Sequence, residues 1–142
     1  MFLLDTNVVS ELRKARAGKA SASVVQWAQS IDAAQLYLSV ITLQELEIGI
    51  LRAERHDAAK GAVLRKWLHQ QLLTSFAGRI LPVDTPVALR GAALHVPDPR
   101  PIHDGLIAAT ALVHRMTLVT RNEADFTITG LVLLNPWRYS PA

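Results

Sequence analysis

Four acidic residues stand where predicted strands end or predicted helices begin. They are Asp5, Glu45, Asp104 and Asp125. In a parallel sheet the carboxyl ends of the central strands lie along one edge, and α/β folds hold their ligands at that edge. The sequence therefore predicts that these four carboxylates converge at one edge of a sheet.

Such a cluster raises the pKa values of its own members through like-charge repulsion, and a bound divalent cation removes that cost. Oxygen-only ligands with waters left in place suit Mg²⁺ or Mn²⁺. An ion of this kind orients a phosphodiester, lowers the pKa of a bound water and stabilises the charge of the transition state. All four acids are therefore candidate metal ligands and candidate catalytic residues.

Each acid also has a purely structural explanation. Asp5 is a favoured N-cap residue, and Thr42 and Glu45 have the spacing of a capping box. Asp104 would lie in the first turn of a helix, where the helix dipole favours an acid. Asp125 lies in a polar segment that is typical of turns. The joint occurrence of the four acids, rather than any one of them, indicates a site.

Alternating strands and helices are predicted to position these acids. The predicted strands cover residues 2–4, 36–40, 80–83, 117–120 and 131–134, and the predicted helices cover residues 6–12, 24–31, 43–51, 58–76, 86–95 and 102–114. This alternation predicts an α/β fold, a three-layer α/β/α sandwich with a mainly parallel central sheet, in a single domain over residues 1–142. Pro82 places the third strand at or near an edge of the sheet.

Composition narrows the class of protein. Half of the 142 residues are apolar and the mean hydropathy is +0.20, which excludes a disordered chain. The absence of cysteine excludes a disulfide scaffold and thiolate metal sites, and it suits a reducing cytoplasm. Because the first residues lack a basic n-region and the longest apolar run, 105–113, is too short to span a bilayer, we expect a cytoplasmic protein with no membrane partner.

The charge balance is mildly basic, with 15 Lys and Arg against 12 Asp and Glu and a formal net charge of +3. If four acids surround a metal ion, the remaining surface carries 15 basic groups against 8 acidic ones. Such a surface favours a polyanion that runs past a metal-filled pocket.

Two other α/β folds and one non-enzymatic class are the alternatives. A phosphoacceptor receiver domain needs paired acids after its first strand and a lysine after the last inner strand, whereas Asp5 stands alone and Thr120-Arg121 has no Lys. A nucleotide-binding domain needs a glycine-rich loop, which Asp5-Thr6-Asn7-Val8 does not offer. A binding module that acts only with a DNA-bound partner is separated from an enzyme by a metal-dependent cleavage assay.

Four segments together resemble the four motifs of PIN-domain ribonucleases. They are Leu3-Leu4-Asp5-Thr6-Asn7, Ser39-x-x-Thr42-x-x-Glu45-Leu46, Asp104-x-x-Ile107-Ala108-Ala109 and Leu118-Val119-Thr120-Arg121-Asn122-x-x-Asp125-Phe126. Within that family the chain is similar to VapC toxins, and Leu133-Leu134-Asn135-Pro136-Trp137 resembles the FitB-like branch. The resemblance spans almost the whole chain.

The resemblance implies a Mg²⁺-dependent endoribonuclease, with Mn²⁺ able to substitute, that is usually a homodimer. It also implies inhibition by a VapB-type antitoxin, through which operator DNA would be bound. Asp5 and Asp104 carry over as principal metal ligands, with Glu45 as a third acid. Asn7 and Thr120 carry over as polar support.

One position departs from the family pattern. Some members have an acid where this chain has Asn122. Either Asp125 supplies the fourth carboxylate or the site has three acids. The number of bound metal ions depends on which alternative holds.

Two surfaces are predicted to contact other molecules, one RNA and the other the antitoxin. The candidate RNA contacts are Arg13, Lys14, Arg100 and Arg121, and the candidates for base stacking are Trp27 and Trp137. The apolar positions predicted to form a groove for an amphipathic antitoxin segment are Val24, Trp27, Leu64, Trp67 and Leu68.

Overall fold

The computed structural model describes residues 1–141, and it shows a five-stranded sheet in which every strand pairs in parallel with its neighbours. The strands are β1 (Phe2–Leu4), β2 (Leu36–Ser39), β3 (Ile80–Leu81), β4 (Thr117–Val119) and β5 (Leu133–Leu134). Their order is β3-β2-β1-β4-β5, so β1 lies at the centre. The order reverses at β1, and ligands of open α/β sheets bind beyond the carboxyl ends of the strands at such a point.

Helices connect the strands. They are α1 (Thr6–Arg13), α2 (Ala22–Gln29), α3 (Val40–His56), α4 (Ala58–Trp67), α5 (Leu73–Ser75), α6 (Thr85–Ala93) and α7 (Ile102–His114). A π-helical segment, Leu68–Leu72, joins α4 to α5, and a 3₁₀ turn, Glu123–Phe126, follows β4. Within residues 1–141 no helix is both long enough and apolar enough to cross a membrane.

The central strand shows why the fold has three layers. Successive residues of a strand point to opposite faces of the sheet. Leu4 packs with Val8 and Trp27 on one face, whereas Leu3 packs with Ile107 and Ala108 of α7 on the other. Both faces of the sheet are therefore covered by helices, which confirms the predicted α/β/α sandwich.

The start of α3 differs from the prediction. Strand β2 ends at Ser39, and α3 begins at Val40 because the Ser39 side chain accepts a hydrogen bond from the Ile41 amide at 3.0 Å. Ser39 is thus the N-cap residue. The capping box between Thr42 and Glu45 is wrong, since the helix begins two residues before Thr42. The Glu45 carboxylate is therefore not used to cap its own helix.

Other element boundaries shift by a few residues. The third strand lies at an edge of the sheet as predicted, and it ends at Leu81, before Pro82. The last strand is shorter than predicted, with only Leu133–Leu134 paired to β4. The long helical segment predicted over residues 58–76 is helical over 58–75, with the π-helical segment near its end.

Candidate active site

Asp5 lies at the carboxyl end of β1 and begins α1. Its amide donates to the Val119 carbonyl at 2.9 Å, which extends the pairing with β4 by one residue. Asp5 is the N-cap residue of α1, and its Oδ1 accepts a hydrogen bond from the adjacent Thr6 amide at 2.8 Å. Its Oδ2 accepts from the Thr120 hydroxyl at 2.8 Å and from Asn7 Nδ2 at 3.4 Å. The structure thus brings both predicted support residues onto Asp5.

The side chain of Asp5 is buried, with 6% of its surface exposed. Burial raises the pKa of the Asp5 carboxyl, and the charges of Asp104 and Glu45 raise it further. The hydrogen bonds from Thr120 and the Thr6 amide oppose that rise. A buried carboxylate with a raised pKa gains most from a nearby cation, because the cation offsets both the lost solvation and the repulsion.

Glu45 lies in the second turn of α3 and is held by residues from two other elements. The Thr6 hydroxyl donates to Glu45 Oε1 at 2.6 Å and lies 3.3 Å from the buried Thr42 hydroxyl. His103 Nδ1 lies 3.4 Å from Glu45 Oε2. These contacts fix the direction of the Glu45 carboxylate, and they tie α3 to the start of α1 and to the start of α7.

Asp104 is the acid in the first turn of α7. Partial burial raises its pKa, the charges of Glu45 and Asp125 raise it further, and the neighbouring His103 opposes that rise. Gly105 allows the close approach of the His95 ring, since a Cβ at that position would lie 3.1 Å from His95 Nε2. The first turn of α7 is thereby packed against the end of α6.

Asp125 lies in the 3₁₀ turn after β4 and is exposed. Its amide donates to the Asn122 carbonyl at 3.1 Å, and the buried Phe126 ring anchors the turn. Its charge acts on the pKa of Asp104, so the two carboxyls lie within electrostatic reach of each other. The other acid of the turn, Glu123, is engaged by Arg138 at 3.1 Å.

Electrostatic interactions link Asp5, Glu45 and Asp104 to one another and link Asp125 to Asp104, but the four acids are not packed as a closed cage. Among residues 1–141, no group of three His, Cys, Asp or Glu side chains is close enough to hold a metal ion by itself. The donors are all carboxylate oxygens, and the pKa of Asp5 responds to the charges of both Glu45 and Asp104. This open set fits Mg²⁺, which keeps several waters and binds through one or two carboxylates.

The four candidate RNA contacts lie in different settings. Arg13 is exposed, with its guanidinium 5.9 Å from the centre of the Trp67 ring. Lys14 lies 3.4 Å from the carboxylate of Glu11. The Arg121 guanidinium covers the Trp137 ring at 5.0 Å, whereas Arg100 is partly buried and donates to the Leu94 carbonyl at 3.1 Å.

The predicted apolar groove is wrong for three of its five members. Trp27 is only 2% exposed and packs edge-on against Phe2, so it cannot stack on a base. Val24 and Leu68 are also buried in the core. Only Leu64 and Trp67 line an open cavity. The helical periodicity of these residues reflects core packing.

Thr6 and His103 contact Glu45, and the sequence predicts no role for either of them. Thr6 reaches Glu45 across 39 residues of sequence, which no local pattern reveals. His103 directly precedes Asp104, and only the packing of α7 against α3 places it beside Glu45. The one local signal for either residue is its position directly beside a predicted metal ligand, since Thr6 follows Asp5 and His103 precedes Asp104.

The raised pKa values predict a pH dependence of stability. In EDTA the folded protein holds the protons of Asp5 and Asp104 at pH values where the unfolded chain has released them. The stability that the two protonated carboxyls contribute is therefore fully present below the ordinary pKa of an Asp side chain. It is lost as the pH rises through the raised pKa values of Asp5 and Asp104 in the folded protein. Thermal unfolding of wild type and of Asp5→Asn/Asp104→Asn, followed between about pH 4 and pH 7, measures it. The double variant should gain stability relative to wild type as the pH rises, and a constant difference would contradict the prediction.

Known proteins resemble this chain in both sequence and fold. The PIN domain family model matches residues 2–129. The chain is 39% identical to Toxin FitB of Neisseria gonorrhoeae, over 96% of this chain and 99% of FitB. It is 35% identical to VapC ribonuclease Y4jK of Sinorhizobium fredii, over 96% of this chain and 98% of that protein. The crystal structure of FitAcB from Neisseria gonorrhoeae superposes with a TM-score of 0.84, covering 97% of this chain and 99% of that chain at 39% identity.

Proposed function

The chain belongs to the PIN domain family, and we propose that it is a Mg²⁺-dependent endoribonuclease, the toxin of a VapBC-type toxin–antitoxin system, in one domain over residues 1–142. Relatives that match over nearly their whole length are named as a toxin and as a ribonuclease. The observation that carries the proposal is the buried Asp5 carboxyl, whose pKa is raised by burial and by Asp104 and Glu45 at the switch point of the sheet.

In this proposal Asp5 and Asp104 hold the ion and Glu45 adds a third carboxylate. When bound there, Mg²⁺ would lower the pKa of a coordinated water and would offset the charge that develops on the phosphate. Thr120 and Asn7 fix the Asp5 carboxylate through its Oδ2, which leaves less rotational freedom to lose when a cation binds. Thr6 does the same for Glu45 through its Oε1.

Cleavage of RNA by the purified, partner-free protein tests the function. A labelled single-stranded RNA should be cut when Mg²⁺ or Mn²⁺ is added, and EDTA should stop the reaction. Protein that is folded by circular dichroism and yet cuts no RNA with either ion would contradict the proposal. That result would favour the alternative, a binding module that acts with a DNA-binding partner.

The partner is inferred from the relatives. A second similar structure is that of FitAB bound to a DNA fragment. Its matched protein chain is 36% identical to this chain and superposes with a TM-score of 0.82. We propose that this chain likewise has a VapB-type antitoxin, that operator DNA is bound only through the antitoxin, and that the toxin is a homodimer. Co-expression with the antitoxin should give an inactive complex.

Asp125→Asn tests whether the fourth acid takes part. Because Asp125 is exposed and acts on Asp104 through its charge, we expect it to support the metal rather than to bind it tightly. The variant should need about 10-fold more Mn²⁺ for half-maximal rate, while the rate at saturating Mn²⁺ falls less. Initial rates across a Mn²⁺ titration measure both quantities. A curve that overlays wild type would make Asp125 a turn residue and the site a three-acid one.

A further inference from the structure

A groove between α1 and α4 ends at the candidate active site. Arg13 and Trp67 line all three of the adjoining cavities that form it. One of these cavities, of about 290 Å³, is also lined by Thr6 and Glu45. We call this surface the α1–α4 groove, and its lining includes Arg13, Arg16, Lys60, Leu64, Lys66 and Trp67. A molecule that fills this cavity reaches the Glu45 carboxylate.

The charges of the α1–α4 groove are almost all positive. Four exposed basic side chains line it, and Glu45 at its end is the one acid. Within residues 1–141, none of the four basic groups takes part in an ion pair. The nearby acids Glu47 and Glu54 are both paired with Arg65, at 2.5 Å and 2.9 Å. The positive potential of the groove is therefore not cancelled by neighbouring carboxylates.

The groove also offers a surface for stacking. The indole of Trp67 is half-buried, and the Arg13 guanidinium lies 5.9 Å from its centre. Aromatic rings and guanidinium planes both stack on nucleobases, and basic grooves with such residues bind single strands without strong sequence preference. Leu64 adds an apolar wall beside Trp67. Cations interleaved with an aromatic ring fit a single-stranded polyanion better than they fit a basic or uncharged peptide.

We propose that the α1–α4 groove binds the single-stranded RNA segment that flanks the scissile bond. Arg13, Arg16, Lys60 and Lys66 contact its phosphates, and Trp67 stacks on a base. The strand then continues past Thr6 to Glu45 and the other acids. This proposal rests on the proposed ribonuclease function and specifies how its substrate is held.

Binding is measured in EDTA, where no metal-dependent cleavage occurs. The probe is a fluorescein-labelled oligouridylate of about 12 nucleotides, and its anisotropy is recorded over a range of NaCl concentrations. Lys60→Glu/Lys66→Glu should weaken binding by about 10-fold or more. It should also lower the slope of log affinity against log salt by about 1.4, since each phosphate contact to a single strand contributes about 0.7. Trp67→Leu should weaken binding about 10-fold, whereas Trp67→Phe, which keeps a ring, should stay within about 2-fold of wild type.

The matched control is Arg90→Glu/Arg115→Glu, which changes the net charge equally on α6 and at the end of α7. It should bind within about 2-fold of wild type. Equal losses in both pairs would show a net-charge effect and overturn the proposal. Unchanged RNA binding by Lys60→Glu/Lys66→Glu would also overturn the proposal and would leave the groove to a peptide partner. If the Glu pair does not fold, Lys60→Ala/Lys66→Ala replaces it with the same expected change in slope.

The two proposals fail in distinguishable ways. Protein that binds RNA through the groove in EDTA but cuts none with Mg²⁺ would contradict the ribonuclease function alone. If wild type cuts RNA with Mg²⁺ and Lys60→Glu/Lys66→Glu binds RNA as tightly as wild type, only the proposed RNA binding by the α1–α4 groove is contradicted.

Discussion

Asp5→Asn is expected to lower the rate of RNA cleavage by about 100-fold or more without unfolding the protein. The substitution keeps the size of the side chain and removes the charge that would hold the metal ion. Metal coordination is worth several kcal/mol of transition-state stabilisation, and each ~1.4 kcal/mol is a factor of ten in rate. Asp104→Asn should have the same effect, because the charge of Asp104 acts on the Asp5 carboxyl and the two acids are proposed to hold the same ion. Initial rates at saturating Mn²⁺ measure both variants.

Retained folding is part of this expectation. Asn can accept from the Thr6 amide through its oxygen, and its amide group can donate to the Thr120 hydroxyl where Asp5 now accepts from it. Because burial raises the pKa of Asp5, its ionised form opposes folding at neutral pH, and the uncharged Asn removes that cost. Near wild-type cleavage by either Asn variant would show that the site is wrongly placed. A loss of the thermal transition would show that the carboxylate has a structural role instead.

Gly61→Ala is expected to lower the free energy of unfolding by about 1–3 kcal/mol, the usual cost of overpacking. A Cβ on Gly61 would lie 2.5 Å from Glu54 Cγ, 2.6 Å from its Cα and 2.8 Å from its amide nitrogen. Since two of these atoms are backbone, α4 would have to move away from α3. Denaturant unfolding followed by circular dichroism measures the loss.

Gly49→Ala is the matched control for that substitution. Gly49 lies within α3, and a Cβ there would meet no atom within 4 Å. Ala in a helix interior is favoured over Gly by about 0.5–1 kcal/mol, so this variant should be more stable than wild type. If Gly61→Ala and Gly49→Ala changed the free energy of unfolding in the same direction, close packing against Glu54 would not explain why residue 61 is a glycine.

The movement forced by Gly61→Ala also bears on the groove. Helix α4 carries Lys60, Lys66 and Trp67, and α3 carries Glu45. One residue, Asp57, ends α3 and caps α4 by accepting from the Lys60 amide at 3.1 Å. The tight α3–α4 connection therefore sets the distance between the basic wall of the groove and the acids at its end.

The sequence predicted the architecture because the relevant signals are local. Short apolar runs that end at acidic or polar residues mark buried strands, and apolar residues at helical spacing mark the helices. Both patterns indicated the α/β sandwich and placed Asp5 and Asp104 at element boundaries, where the structure has them. Boundaries were less accurate, as at Ser39, because a cap is decided by one side-chain hydrogen bond.

Local patterns do not distinguish core from surface. The same periodicity that predicted a docking groove at Val24, Trp27 and Leu68 belongs to residues buried in the core. An apolar side chain at helical spacing shows which face of the helix is covered, but it does not show what covers it. The assignments of the four acids as metal ligands and of Arg13, Lys14, Arg100 and Arg121 as RNA contacts stay predictions.

The sequence by itself determined the fold class, the family motifs and the four candidate acids, since each follows from residue type and near-neighbour spacing. Only the tertiary structure decided which groups touch. Thr120 donates to Asp5 across 115 residues, and Thr6 donates to Glu45 across 39. The basic α1–α4 groove likewise unites residues from separate helices. These contacts depend on strand order and helix packing, which are fixed by burial of the whole core rather than by any local segment.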